Sequence, residues 1–418
     1  MKRNTFVKTA VAAVAAVATI APMAACGSGN SGTSADGKTT LTMFTWDNDE
    51  AMKPYIEAFE KKYPNIKVDQ SSAPNNGDKD SILNQRFSGG QAPDIFTLGN
   101  ARHDQKVKSG LVMDVTNEPF MKNVAQANKD YLTANGKVYG VSITSWESGI
   151  VYNEDLLKKV GATGIPSTWD EFLELCKKLK AAGITPFLEH IDETPHLVAA
   201  CVGGQYAKKG NQDGDEKIID GTTTFSAEYT DCLKQWYKLY DEDIESRDSV
   251  GVSGDQIVQQ FNAGELAMFI TGAWDFTKLN EGGQHWKMGL VPTFEGGEAN
   301  YGAGSPSPGY AIYSKTKHAD AAKKWLEFMV SKEALDLQAK AGNIVTVQGY
   351  KQDVDPGYTD VYKNGLLTSK YYLPVNHWGL KGNAINTEWT AQFQLLVQGS
   401  QTPAQTAKNM DDKLKSLS

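Results

Sequence analysis

Cysteine is scarce in this chain, with four in 418 residues, at positions 26, 176, 201 and 232. None sits in a C-x-x-C pair and the six histidines show no ligand spacing, which argues against structural zinc. Basic residues are outnumbered, 42 Lys and Arg against 50 Asp and Glu, for a net charge of −8. A net acidic chain without a basic cluster is a poor partner for nucleic acid, and it offers no polybasic stretch to anionic lipid. Enzyme signatures are also missing. No G-x-S-x-G is present, and GVSGD at 251–255 lacks the second Gly. The phosphate-loop and H-E-x-x-H patterns do not occur. QDGDE at 212–216 and DVDPG at 353–357 miss the calcium-loop pattern and read as polar turns. Acidic residues are plentiful, but nothing marks a carboxylate pair for glycoside hydrolysis. The eight strand–helix repeats of a barrel are not evident, and there is no internal repeat.

What is present begins at the N-terminus. Lys2, Arg3 and Lys8 precede an uncharged Ala/Val/Thr-rich run over 9–25, which ends in Met23-Ala24-Ala25-Cys26. A basic start, a short apolar run and small residues before a cut site form a secretory signal. A membrane span needs about 20 strongly apolar residues, and this run is shorter and Ala-rich. The Cys at the cut resembles a bacterial lipoprotein signal, with Cys26 as the lipidated first residue of the mature chain. Met23 stands where Leu is usual, and plain secretion with a nearby A-x-A cut is the alternative. Losing Lys2, Arg3 and Lys8 takes the net charge from −8 to −11. Residues 26–37 are then the lipidated Cys and a Gly/Ser-rich tether. GSGNSG (Gly27, Gly29, Gly32) matches a dinucleotide-binding fingerprint in letters only, having no strand before it and no helix after it.

The remaining chain exceeds one ordinary domain, so two are expected. Strand-like runs at 39–46, 66–68 and 94–98 alternate with helical patterns after residue 49 and over 78–88, which argues an α/β domain with a mainly parallel sheet. Met52, Tyr55, Ile56 and Phe59 share a helix face, and Pro54 fits only near the first turn. Residues 137–153 read as extended, followed by helices at 154–160 and 168–182. The second carries a capping box of Thr168 and Glu171. A polar hairpin-like loop is expected at 209–222, a helix at 255–263, a strand at 266–271 and two strands within 288–313. One long helix covers 319–339, and helices end the chain at 383–398 and 404–416. Cys176 lies on a helical apolar stripe with Phe172, Leu175 and Leu179 and so faces a core. Cys176, Cys201 and Cys232 allow either one bridge outside the cell or three buried thiols.

Several Trp residues stand where apolar stretches give way to polar ones: FTWDNDE (44–50), ITSWESG (143–149), TGAWDFT (271–277) and PVNHWGL (374–380). A flat indole can cover the C–H face of a pyranose while neighbouring amides, carboxylates and imidazoles bond its hydroxyls. Ligands of open α/β sheets sit beyond the carboxyl ends of strands, where these residues should lie.

The order and spacing of SGGQAPDIFTL (88–98), GLVMDVT (110–116), the stretch 136–186, FNAGELAMFITGAW (261–274) and 309–334 resemble the extracellular solute-binding proteins of ABC transporters, in the oligosaccharide-binding branch related to maltose-binding protein. The likeness covers 38–418. It implies an α/β, two-lobed periplasmic-binding-protein-like fold whose hinge the chain crosses three times, near 145–150, 274–289 and 335–345. Lobe 1 would be 38–146 plus 288–336, and lobe 2 would be 148–275 plus 342–418. By motif position the sugar-binding candidates in the cleft are Trp46, Asn48, Asp49, Asn100, Arg102, Trp146, Glu147, Glu189, His190, Trp274, Ser305 with Ser307, His377 and Trp378. Leu98 replaces an aromatic of the family. Asp94 reads as a structural cap.

The resemblance implies a lipid-anchored monomer on the outer face of the cell membrane. It would deliver short neutral oligosaccharides to an ABC permease and need no catalytic residue, metal or cofactor. Two other classes stay open. A secreted glycoside hydrolase would use a carboxylate such as Glu147 or Glu189, and a polyamine or peptide receptor would use Asp47, Asp49 and Glu50.

Overall fold

The computed structural model describes residues 37–73, 79–102, 104–191 and 194–417. The expected signal, Cys26 and the tether lie outside the described residues. The first sheet is built around Thr39–Thr45, which pairs in parallel with Ile66–Ser72 and with Ile95–Leu98. Gly309–Ile312 closes it antiparallel to Ile95–Leu98. The crossover helix Asp49–Lys62 is capped by Asn48 and buries Met52, Tyr55 and Phe59. Pro54 falls inside this helix, deeper than its first turn. Phe59 meets Trp325 of the helix Ala319–Met329 edge-on at 5.0 Å, joining elements far apart in sequence into one core. Asp94 is structural: its carboxylate accepts the Thr42 N–H and hydroxyl, each at 2.8 Å, and the Thr316 hydroxyl. It thus ties the two inner strands to the loop that follows the last one.

The second sheet has the order Trp286–Gly289, Gly149–Asn153, Leu266–Thr271, Thr185–Leu188, with only the last pair parallel. Both faces are covered. Ile150 and Tyr152 pack into a large helical core, while Val151 points into a smaller one with Ile257, Phe261 and Tyr358. This alternation follows from the period-two geometry of a strand. The large core holds Trp169–Ala181, His196–Lys209, Phe225–Asp241, Gly382–Val397 and Pro403–Ser416. A disulfide, Cys201–Cys232, staples two of these helices, and Cys176 is a buried thiol.

Several boundaries differ from expectation. The stretch 209–222 contains a helix, Gly214–Ile219, whose Ile218 is buried. The long helix of 319–339 is two, Ala319–Met329 and Lys332–Lys340, broken where Ser331 takes an extended conformation. At Thr168 the hydroxyl accepts the Glu171 N–H, but the Glu171 carboxylate bonds the same hydroxyl; the reciprocal capping box is made by Ser253 and Gln256 instead. Packing passes from the first core to the second between Ile143 and Ile150. The return is later than residue 288: Trp286–Gly289 belongs to the second sheet and Phe294 to its core, so the chain comes back between Phe294 and Tyr310. The final passage lies around 344–358, since Val345 and Val347 still pack in the first core and Tyr358 does not.

The disulfide closes a separation of 31 residues, for which chain entropy gives roughly 3–4 kcal/mol. A Cys201→Ser, Cys232→Ser variant should lose that much unfolding free energy and unfold at a lower urea midpoint. An unchanged midpoint would show that the staple contributes nothing.

Candidate ligand-binding cleft

The two bodies are joined by a small three-stranded sheet. Gly302–Pro306 lies at its centre, antiparallel to Ser145–Glu147 and parallel to Tyr371–Tyr372. Close strand approach requires glycine here. A Cβ on Gly304 would fall 2.5 Å from the Trp146 carbonyl oxygen and 2.8 Å from the Tyr371 Cβ. Trp146 and Ser305 are register partners, so their side chains share one face. That face is the cleft floor. Glu147, the next residue, points to the other side. It is 1 % exposed, with its carboxyl against Gly302 and Gly365, and burial pushes that carboxyl well up. Strand alternation therefore removes Glu147 from the expected contacts and encloses it behind the floor.

On the second body, the half-buried Trp146 meets Trp274 edge-on at 5.5 Å, and His196 lies 5.8 Å from Trp146. Trp274 is 53 % exposed, unusual for a ring of that size with a packed edge. Behind it lies a cavity of about 220 Å³ bordered by Glu189, His190, His196, Thr271 and Trp274. Glu189 is a wall residue whose oxygens are already used, accepting the Leu197 N–H at 3.0 Å and the Trp236 indole N–H at 2.8 Å. Burial nevertheless pushes its carboxyl up. Glu245 faces it, and burial together with Glu189 pushes Glu245 up to about 8.

On the first body, Trp46 follows the central strand and borders a second cavity of about 730 Å³, with Asn84, Asn100, Tyr131 and Asn376. The Lys79 amine lies 5.8 Å over the Trp46 ring. Asn48 and Asp49 do not border the cavities described. Asn48 spends its amide oxygen capping the helix, on the Ala51 N–H at 2.9 Å, and Asp49 begins the helix on its exposed side. A third cavity of about 610 Å³ shares Asn100, Tyr131 and Asn376 with the second and reaches Ser305 and His377.

Bonds cross between the bodies at this point. The Asn100 amide donates to the Asn376 carbonyl oxygen at 2.9 Å, and the Asn376 amide donates to the Ser305 hydroxyl at 2.8 Å. Arg102 pairs with Glu216 at 3.0 Å, and His377 Nδ1 meets the same Glu216 oxygen at 2.9 Å. Burial alone would raise the Glu216 carboxyl, but His377 and Arg102 outweigh it and hold the group below its ordinary range. Arg102, expected as a ligand contact, is thus engaged across the cleft, and His377, also expected as one, is engaged with Glu216 within the second body. Trp378 cannot stack on a ligand: it is 0 % exposed and donates its indole N–H to the buried Asp215 at 2.7 Å. Ser307 is tied by its backbone to Ser142 and Thr144. His196, Glu216 and Asn376 were not anticipated. Glu216 sits in the stretch expected to be a loop, whereas Asn376 was signalled by its place in PVNHWGL.

A family model for bacterial extracellular solute-binding proteins matches residues 45–336, and the chain belongs to that family. The multiple sugar-binding protein of Streptococcus mutans is 25% identical over 82% of this chain and 84% of its own length. A maltooligosaccharide ABC transporter solute-binding lipoprotein of Streptococcus pneumoniae is 26% identical over 68% of this chain and 67% of its own length. The solved structure of a family 1 extracellular solute-binding protein from Bifidobacterium longum subsp. infantis superposes with a TM-score of 0.82. It is 30% identical and covers 91% of this chain and 99% of its own. Members of this family are extracellular solute receptors and not enzymes.

Two outcomes follow from the charges. Glu245 titrates near 4.5 when exposed in the unfolded chain and near about 8 in the fold. The fold accommodates the neutral acid, so stability is full below about 4.5 and declines as pH rises towards about 8. Melting temperature should fall over that window, and less steeply in Glu245→Gln; parallel slopes would contradict this. Arg102→Glu places a like charge against Glu216. As an exposed substitution it should change stability by no more than about 0.5 kcal/mol, yet enlarge the radius of gyration in X-ray scattering. An unchanged radius would deny the bond a role in holding the bodies together.

Proposed function

We propose that this chain is the lipid-anchored receptor of an ABC importer, capturing short neutral oligosaccharides between its lobes and handing them to a membrane permease. The observation that carries the reading is the exposed Trp274 face, set against Trp146 and His196, with Ser305, the register partner of Trp146, and Asn376 lining a neighbouring cavity between the bodies. An aromatic platform beside amides and hydroxyls matches the two faces of a sugar ring. The nearby carboxylates of Glu189 and Glu216 are already bonded, so a cationic ligand such as a polyamine finds little unpaired charge. The relatives, a multiple sugar-binding protein and a maltooligosaccharide ABC transporter lipoprotein, point the same way. The disulfide suits an oxidising, extracellular setting. The anchor is the lipidated Cys26, and the receptor acts as a monomer.

Thermal unfolding against a panel of neutral oligosaccharides tests this. A true ligand at about 100 times Kd adds about 2.7 kcal/mol, a rise of roughly 2–4 °C for a protein of this size, and is recovered intact by chromatography. No shift with any sugar, or recovery of a cleaved product, would overturn the reading. Trp274→Ala should weaken binding at least tenfold, about 1.4 kcal/mol, as removal of an anchoring Trp does. Cys26→Ser should release the protein into the medium.

A further inference from the structure

The cavity behind Trp274 differs from the other two in the cleft. Its bordering residues, from Glu189 to Asp275, belong to the second sheet and the elements packed on it, whereas the larger cavities draw on both bodies. Its inner side is built from otherwise buried side chains, including Ile257 at 3 % and Phe269 at 2 % exposure. At about 220 Å³ it falls below the roughly 300–1,000 Å³ of sites that take drug-sized ligands. Trp274, the most exposed ring bordering it, leads outward to Trp146, the register partner of Ser305.

Resting on the oligosaccharide reading, the geometry points to an end socket: one terminal sugar ring enters this pocket, and the rest of the chain leaves past Trp274 along the Trp146–Ser305 floor into the space between the lobes. The terminal ring lies against Trp274 while the hydroxyl and imidazole groups of Thr271, His190 and His196 surround its edge. Recognition is then of a chain terminus, and internal segments of a polymer and chains with blocked ends are rejected. Because the socket belongs to one body, it can engage the end of the ligand before the lobes close.

Gly254 provides the test. It opens the helix Gly254–Asn262 and borders the socket, and a Cβ there would meet only His190 Nδ1, at an ordinary 3.6 Å. A Cβ can therefore be added there without strain. We would measure calorimetric affinity of the purified protein for linear xylo-, malto-, fructo- and galacto-oligosaccharides, tri- to pentasaccharide. The best binder would then be titrated into Gly254→Leu and Gly254→Ala, and its doubly end-blocked derivative into the unaltered protein. The socket predicts at least a tenfold loss in Gly254→Leu with an unchanged melting temperature, a much smaller loss in Gly254→Ala, and at least a tenfold loss for the blocked chain. Undiminished binding by Gly254→Leu, or of the blocked chain, would overturn the socket and leave the oligosaccharide reading intact. Failure of every sugar to bind the unaltered protein would overturn that reading and the socket with it.

Discussion

Everything about the cleft depends on how three short strands join two separately packed bodies. Gly302–Pro306 runs between Ser145–Glu147 and Tyr371–Tyr372 so closely that a methyl group at Gly304 has nowhere to go. Each body has its own core, and few elements connect them. This is the arrangement in which rigid-body closure is the soft motion, because bending a few backbone links leaves both cores undisturbed. The same strands set the alternation that sends Trp146 and Ser305 to the cleft and Glu147 behind it. One pairing register thus fixes both the link and the floor on which a ligand would rest.

The buried acids also fit a binding protein. Glu189 is held by a backbone N–H and an indole, Asp215 accepts from Tyr229, Tyr372 and Trp378, and Glu147 is enclosed behind the floor. None offers the unencumbered pair of carboxylates that glycoside hydrolysis requires. For Glu189 and Asp215 the cost of burial is offset by donors that organise the second body, and the cleft adds the amides, hydroxyl, imidazoles and indoles of Asn100, Asn376, Ser305, His196, His377, Trp46 and Trp274. Such a surface binds an uncharged polyol without committing it to reaction. A ligand gripped from both sides shifts the population toward the closed form only by its differential affinity for that form. The cross-cleft bonds of Asn100 and Arg102 lower what the ligand must supply.

Much of this was legible from residue patterns. The strand–helix alternation of 39–98 and the apolar stripe carrying Cys176 are local signals, and both gave the right elements. Trp46 and Trp274 do follow strand ends, because a strand's end and its next residues are fixed by local chain direction. Burial and partners were not legible. Trp378 looks like Trp274 in sequence, yet one is enclosed beside Phe225 and Asp215 while the other is exposed; the difference is made by helices far away in the chain. Glu147 and Trp146 are neighbours on opposite faces, and which face is the cleft depends on pairing with residues beyond 300. The late return after Phe294 was hidden because Trp286–Gly289 reads as a strand for either sheet. The choice of Cys201 and Cys232 over Cys176 likewise came from the packing of three separate helices.

The central claim is that a neutral oligosaccharide draws the two lobes together over the Trp146–Ser305 floor. Fluorescence energy transfer between dyes on the exposed Lys122 of the first body and Lys234 of the second, introduced as cysteines, measures this directly. Saturating the protein with its best-binding sugar should shift the distance distribution to shorter values, and the titration midpoint should equal the calorimetric Kd. A distribution unchanged at full occupancy would contradict the account.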